Sequence, residues 1–347
     1  MPIHRVLQRL TRGALSTLPS VARPLTGVLP QNDRGARLDP SVHLALRVLE
    51  AGGNPTFDEL GADRARVEFE KLPRLADVPP LPVERVEDQW IPGPDGEIPI
   101  RIYRPREAPA PGPAVLYFHG GGWVVGSLAS HDATCRFFAR RTGLTVIAVD
   151  YRLAPEHAFP AAVEDAVAAF RWVRDHGAAF GVDGARIAVA GDSAGGNLAA
   201  VVCAQVRDAD EPMPAFQLLI YPGTDLTRSM PSHRLFAEGF FLTERTMDWF
   251  VASYLTDPSQ ETDPRGSPLA LEDKRGLPPA HVAVAGFDPL RDEGEAYAEA
   301  LREAGVPTTL RCYESQIHGF VQMGGIVESA AHATDDLAAV LSQRLRA

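Results

Sequence analysis

The 347-residue sequence predicts an α/β protein: a mostly parallel sheet flanked by helices on both faces, with a helical cap. Three observations carry this. Short apolar runs at 114–118, 145–149, 187–190, 217–221, 282–285 and 308–312 alternate with helical stretches, most plainly 161–176 and 293–304. Runs that are apolar at nearly every position, rather than at alternate ones, belong to strands buried on both faces, as in parallel sheets. Next, the glycine-rich turn Gly191-Asp192-Ser193-Ala194-Gly195-Gly196 joins the run at 187–190 to a helix-forming series from Asn197, so Ser193 falls where strand becomes helix. Last, about 60 residues separate Tyr221 from Val282, too many for a structureless connection, and they read as an inserted cap at about 222–265.

Taken in order, residues 1–35 form an N-terminal extension. Residues 1–32 hold no Asp or Glu but hold Arg5, Arg9, Arg12 and Arg23, with Ile3, Val6, Leu7, Leu10, Ala14 and Leu18 at helical spacing, an amphipathic helix. Ser, Thr and Pro interrupt the apolar part at 14–22, so it is not a signal peptide. Such a face reads either as packing on the body or a second subunit, or as weak contact with an anionic membrane surface. Residues 36–75 carry helices that contribute to the cap. The first, at 40–49, has Asp39 as N-cap, Pro40 in the first turn and Gly52-Gly53 as its stop; the second spans 60–72. The main α/β domain occupies 76–347. Beyond the Pro79–Pro82 link, strands at 83–91 and 97–103 turn over Asp95-Gly96. The insertion carries Phe236, Phe240, Phe241, Trp249, Phe250 and Tyr254, with a helix over 244–254. The apolar last helix, 326–345, predicts a homodimer.

Composition excludes several classes. At 45% hydrophobic and 23% charged residues the chain is an ordinary globular one, and no run approaches the ~18 apolar residues of a membrane span. A net charge of −11 with no basic cluster in the body excludes nucleic acid as partner. Cys135, Cys203 and Cys312 match neither a disulfide framework nor a zinc pattern, and read as buried hydrophobes in a reducing, cytoplasmic setting. No metal or organic cofactor is expected.

A serine between strand and helix, flanked by glycines, is the setting of an exposed nucleophile, which needs a base, a group to orient the base and donors for an oxyanion. His119-Gly120-Gly121-Gly122-Trp123 follows a strand, and its bare backbone can turn N–H groups toward a developing negative charge. Two carboxylates follow the 282–285 strand. Asp292, with Glu295 three residues on, has the pattern of an N-cap and capping box, leaving Asp288 as the orienting acid. His318, 30 residues after Asp288, follows the last strand. His119 reads as a prop for the glycine loop and His157 has no acid placed for it. His4, His43, His131, His176, His233, His281 and His332 read as scattered surface or helix positions.

His119–Trp123, Asp150-Tyr151-Arg152-Leu153-Ala154-Pro155-Glu156-His157, Gly191–Ala199, Asp288–Gly294 and Ile317-His318-Gly319-Phe320 stand in an order that resembles the bacterial hormone-sensitive-lipase-like carboxylesterases, from about Asp39 to the C-terminus. The resemblance implies an α/β-hydrolase fold with a sheet of about eight strands, and hydrolysis of short to medium acyl esters of small molecules. It implies Ser193 as nucleophile, His318 as base then acid, and Asp288 as orienter. Gly121, Gly122 and Ala194 then supply the oxyanion N–H groups, with Gly120 their neighbour. Trp123, Phe240, Phe241 and Leu242 are candidate pocket walls. Amide, carbamate and lactone hydrolysis use the same triad, and a non-catalytic small-molecule receptor shares the fold.

Overall fold

Strands buried on both faces can lie only in the middle layer of a molecule. The computed structural model, which describes residues 28–53 and 55–346, has one sheet of eight strands, buried on both faces at its centre and partly exposed at its edges. β1 (Arg85–Gly93) and β2 (Gly96–Arg104) form an antiparallel hairpin at one edge. β3 (Gly112–Phe118), β4 (Thr145–Val149), β5 (Val182–Asp192), β6 (Phe216–Ile220), β7 (Ala280–Phe287) and β8 (Thr308–Ile317) complete the order β1-β2-β4-β3-β5-β6-β7-β8. β2 meets β4 antiparallel, and every pairing from β4 to β8 is parallel.

Before the sheet come α1 (Pro40–Ala51), α2 (Phe57–Leu60), α3 (Ala62–Phe69) and α4 (Leu72–Ala76). Between strands lie α5 (Asp132–Thr142), α6 (Ala161–His176) and α7 (Ala194–Asp208); α8 (Pro231–Leu235) and α9 (Glu244–Tyr254) occupy the insertion, and α10 (Arg291–Glu303) and α11 (Glu328–Arg346) follow. Strand alternation divides the core. Leu116, Val189 and Val282 pack with Phe170 of α6, Leu198 of α7 and Leu301 of α10 on one face, while Val115, Tyr117 and Leu218 pack with Phe138 of α5 and Leu337 of α11 on the other.

Several expectations are corrected. The helix expected over 60–72 is three pieces, because Gly61 adopts φ +73° and Pro73 opens a new helical turn. Asp292 is not an N-cap. Its helix starts at Arg291 after Leu290, and its carboxylate accepts from Ser232 N–H at 2.9 Å and pairs with Arg291 at 2.8 Å. His131, His233 and His281 are buried rather than scattered over the surface, and Cys312 is only partly buried. The apolar stripe of α11 packs within the chain, where Leu337, Leu341 and Leu345 are buried. The amphipathic helix expected over 1–32 lies, up to residue 27, outside the described residues. Among the described residues no helix is long and apolar enough to cross a membrane.

Candidate active site

The site assembles at the C-terminal ends of the parallel strands, where β5, β7 and β8 each deliver one side chain. β5 ends at Asp192, α7 begins at Ala194, and Ser193 between them is held at φ 55°, ψ −120°, a conformation side chains rarely adopt. Close packing imposes that turn. A Cβ on Gly195 would stand 1.9 Å from the Phe118 carbonyl oxygen, so only glycine lets α7 start this near β3. Ser193 N–H donates to Ile220 O at 2.8 Å, anchoring the turn to β6.

Asp288 lies just past β7, fully buried, and its Oδ1 accepts from Leu290 N–H at 2.9 Å. Its Oδ2 is 2.8 Å from His318 Nδ1, and His318 Nε2 is 2.9 Å from Ser193 Oγ. A carboxylate on Nδ1 selects the tautomer with hydrogen there, leaving Nε2 free to take the serine proton. The imidazole is 7% exposed, and its ring centroid lies 4.6 Å from that of Tyr221.

After β3 the loop His119–Trp123 passes beside Ser193. His119 Nδ1–H donates to Gly120 O at 2.8 Å, and the Tyr151 hydroxyl donates to His119 O at 2.7 Å. Burial pushes the His119 imidazole down to about 3, with His131 adding to the effect, so the ring is neutral. Gly121 and Gly122 take φ values of 124° and 58°. Among the described residues, no carbonyl or side chain accepts from the N–H groups of Gly121, Gly122 or Ala194. Three unpaired donors beside the Ser193 hydroxyl can donate to a developing oxyanion.

A cavity of about 880 Å³, including its open mouth, joins these groups. Ser193, His318, Gly121, Gly122 and Ala194 line it, as do Trp123, Phe241 and Leu242. Phe240 does not. Its ring, only partly buried, packs on Phe236 and Phe287, at 5.5 and 5.3 Å between centroids, against the edge of the core. Sequence reasoning missed the walls brought by Phe57 and Phe69 from the N-terminal helices, by Met247 and Phe250 from α9, and by Tyr221. No local pattern marks them. Asp192 is different, since it sits inside the serine motif. Burial would raise its pKa, but attraction to His131 and hydrogen bonds from His131 and Tyr117 outweigh burial and hold the carboxyl below its ordinary value.

A strand–serine–helix turn with base, acid and free amide donors on a mainly parallel α/β sheet defines a class, and a model of the alpha/beta hydrolase fold family matches residues 115–322. The chain belongs to that family. Carboxylic ester hydrolase LipN of Mycobacterium tuberculosis is 44% identical over 357 aligned positions, covering 99% of this chain and 93% of its own. Ethyl acetate hydrolase of Pseudomonas putida is 40% identical, over 89% of this chain and 99% of its own. An ester hydrolase from the metagenome of Lake Arreo, solved in complex with a derivative of bipyridine phosphonate, superposes with a TM-score of 0.87 at 46% identity, covering 89% of this chain and all of that one.

Proposed function

We propose that the chain hydrolyses carboxylic esters of small molecules by way of an acyl-enzyme on Ser193. The observation that carries this reading is the continuous line from Ser193 Oγ through the His318 imidazole to Asp288 Oδ2, at 2.9 and 2.8 Å, opening into a mostly apolar cavity beside three unpaired amide donors. Ser193 Oγ attacks the ester carbonyl while His318 Nε2 takes its proton. The tetrahedral oxyanion rests on Gly121, Gly122 and Ala194 N–H, and its collapse expels the alcohol, which leaves with the proton from His318. Water, deprotonated by His318, then repeats the attack on the acyl-enzyme and frees the acid and Ser193.

Short to medium acyl chains suit walls made by Phe57, Phe69, Leu242 and Phe250 around so limited a space. The names of relatives acting on ethyl acetate and other carboxylic esters support the ester class. A complete line of serine, histidine and aspartate weighs against a receptor without catalysis. The test is turnover of p-nitrophenyl esters of increasing acyl length by wild type and Ser193→Ala. We expect wild-type activity with a maximum at short to medium chains and a loss of about 10³-fold or more in kcat for the variant. An active Ser193→Ala protein would overturn the assignment.

A further inference from the structure

Directly behind the glycine loop lies a second carboxylate–histidine contact that the reaction above does not use. His131, 1% exposed, places Nε2 3.5 Å from Asp192 Oδ2, its hydrogen-bond partner, and 3.3 Å from Oδ1. The same Oδ1 accepts Gly120 N–H at 3.1 Å and the Tyr117 hydroxyl at 2.8 Å. Gly120 can approach this closely only because it lacks a side chain, for a Cβ there would meet Asp192 Oδ2 at 2.4 Å. Asp192 therefore grips the residue just ahead of Gly121 and Gly122, and it does so one residue before Ser193.

His131 is itself held from several directions. Its Nδ1 stands 2.9 Å from Ser130 Oγ, which also bonds Ser127 N–H at 2.9 Å and Ser127 O at 3.0 Å. Ser130 O accepts from Gln322 Nε2 at 3.0 Å, which ties this turn to the loop carrying His318. The ring stacks on Phe69, a wall of the cavity, at 6.3 Å between centroids. Asp192 is only 4% exposed, so solvent poorly replaces a donor lost there. Without Nε2–H the carboxylate keeps two donors on one oxygen and none on the other, and is free to rotate or take up a proton, either of which shifts Gly120.

We infer that His131 is a positioning residue for ester hydrolysis: through Nε2 it fixes the Asp192 carboxylate that holds Gly120 N–H, and so aims the Gly121 and Gly122 amides at the tetrahedral oxyanion. The inference rests on the reading of the site given above. Its effect falls on the transition state rather than on substrate binding, because a ground-state carbonyl leans little on those donors.

The experiment compares wild type with His131→Met, which fills the space without a donor; His131→Gln, whose Nε2–H can reach toward Asp192; and Ser130→Ala, which removes the Nδ1 partner, together with its two Ser127 bonds, while leaving the imidazole in place. A p-nitrophenyl ester gives kcat and KM, and a trifluoromethyl ketone, which forms a tetrahedral oxyanion on the serine, gives Ki. Failure of wild type to turn over any ester or to bind the ketone would sink the esterase reading itself, before any variant is compared. With wild type active, we expect kcat of His131→Met to fall ~10- to 100-fold, a fraction of a fully lost oxyanion donor, with KM within about twofold and Ki rising by the same factor as kcat falls. His131→Gln recovers most of both, and Ser130→Ala shows a smaller loss with the same proportion between kcat and Ki. Should His131→Met not fold, the Gln and Ser130→Ala proteins carry the comparison. An unchanged Ki alongside a lowered kcat, equal losses in Met and Gln, or full activity in both Met and Ser130→Ala would overturn the inference.

Discussion

At the scale of single residues, the groups behind the site carry more chemistry than their exposure suggests. Asp77, at the end of α4, is 4% exposed, with Oδ1 accepting Val78 N–H at 2.7 Å and Oδ2 facing the Thr134 hydroxyl at 3.3 Å. Burial is the main cause that pushes its carboxyl up to about 7 from 3.8, with the nearby Asp192 charge adding to it and His131 opposing. A raised acid pKa means that the folded chain holds the proton more tightly than the unfolded one. The associated stability is fully present below pH 3.8 and is lost as pH rises toward 7. Asp77→Asn keeps the acceptor for Val78 and carries no charge, so its advantage over wild type should grow between pH 5 and pH 8, by about 2–3 kcal/mol on the scale of ~1.4 kcal/mol per pKa unit. Urea unfolding of both proteins at the two pH values measures this. An advantage independent of pH would show that Asp77 is already ionised in the fold.

At the scale of elements, the loop from β7 to α10 holds Asp288 because two distant pieces of chain grip it. From one side Asn32 Nδ2 donates to Gly286 O at 3.1 Å, and Asp33 receives both ends of the Arg291 guanidinium at 2.7 and 3.0 Å. From the other, Ser232 of α8 donates its hydroxyl to Pro289 O at 2.6 Å and its N–H to Asp292. These grips explain what could be read in advance and what could not. The apolar runs of β3 to β7, the turn at Ser193 and the positions of Asp288 and His318 are encoded locally, in periodicity and short motifs. Periodicity says which face of an element is buried but not against what. Hence Asp33 reaching Arg291 across 258 positions, His131 meeting Asp192, and Phe240 packing on Phe287 instead of lining the cavity left no trace in the sequence. Asp292 reads as structural but with the wrong task, since its carboxylate takes the Ser232 N–H of α8 and the Arg291 side chain rather than capping the backbone of its own first turn. Removing one grip should loosen the acid without emptying the site. Asp33→Ala is expected to cost about 1.5–3 kcal/mol of stability, the range for a hydrogen bond to a charged group, and to lower kcat more than KM changes, with Asp33→Glu restoring part of both. Urea unfolding and ester kinetics on the three proteins decide it; kcat at the wild-type level in Asp33→Ala would mean that the α8 grip alone suffices.

At the scale of the whole molecule, the cavity is walled by parts that the sheet does not contain: α2 and α3 ahead of it, and the insertion between β6 and β7. Asn197, fully buried in the first turn of α7, joins insertion to sheet. Its Nδ2 donates to Gly223 O and to Gly266 O, both at 2.7 Å, so one amide four residues past Ser193 ties the two ends of the insertion to the helix that Ser193 caps. Glu293, buried at the start of α10, adds a second tie by accepting the Thr224 and Asp225 N–H groups at the insertion's entry. Through these links the cap and the two core layers should open as one unit, with the amides of α9 exchanging at rates close to those of the buried strands. Asn197→Leu keeps approximate volume but leaves two buried carbonyls without a donor, at about 1–3 kcal/mol each. The cost falls on the attachment of the insertion rather than on the sheet. We therefore expect amide hydrogens of α9 to exchange faster in Asn197→Leu while those of β3 and β5 keep their protection, and proteases to cut within 227–263 before the sheet unfolds. If β5 loses protection in step with α9, Asn197 is a part of the common core and the insertion has no stability of its own to lose.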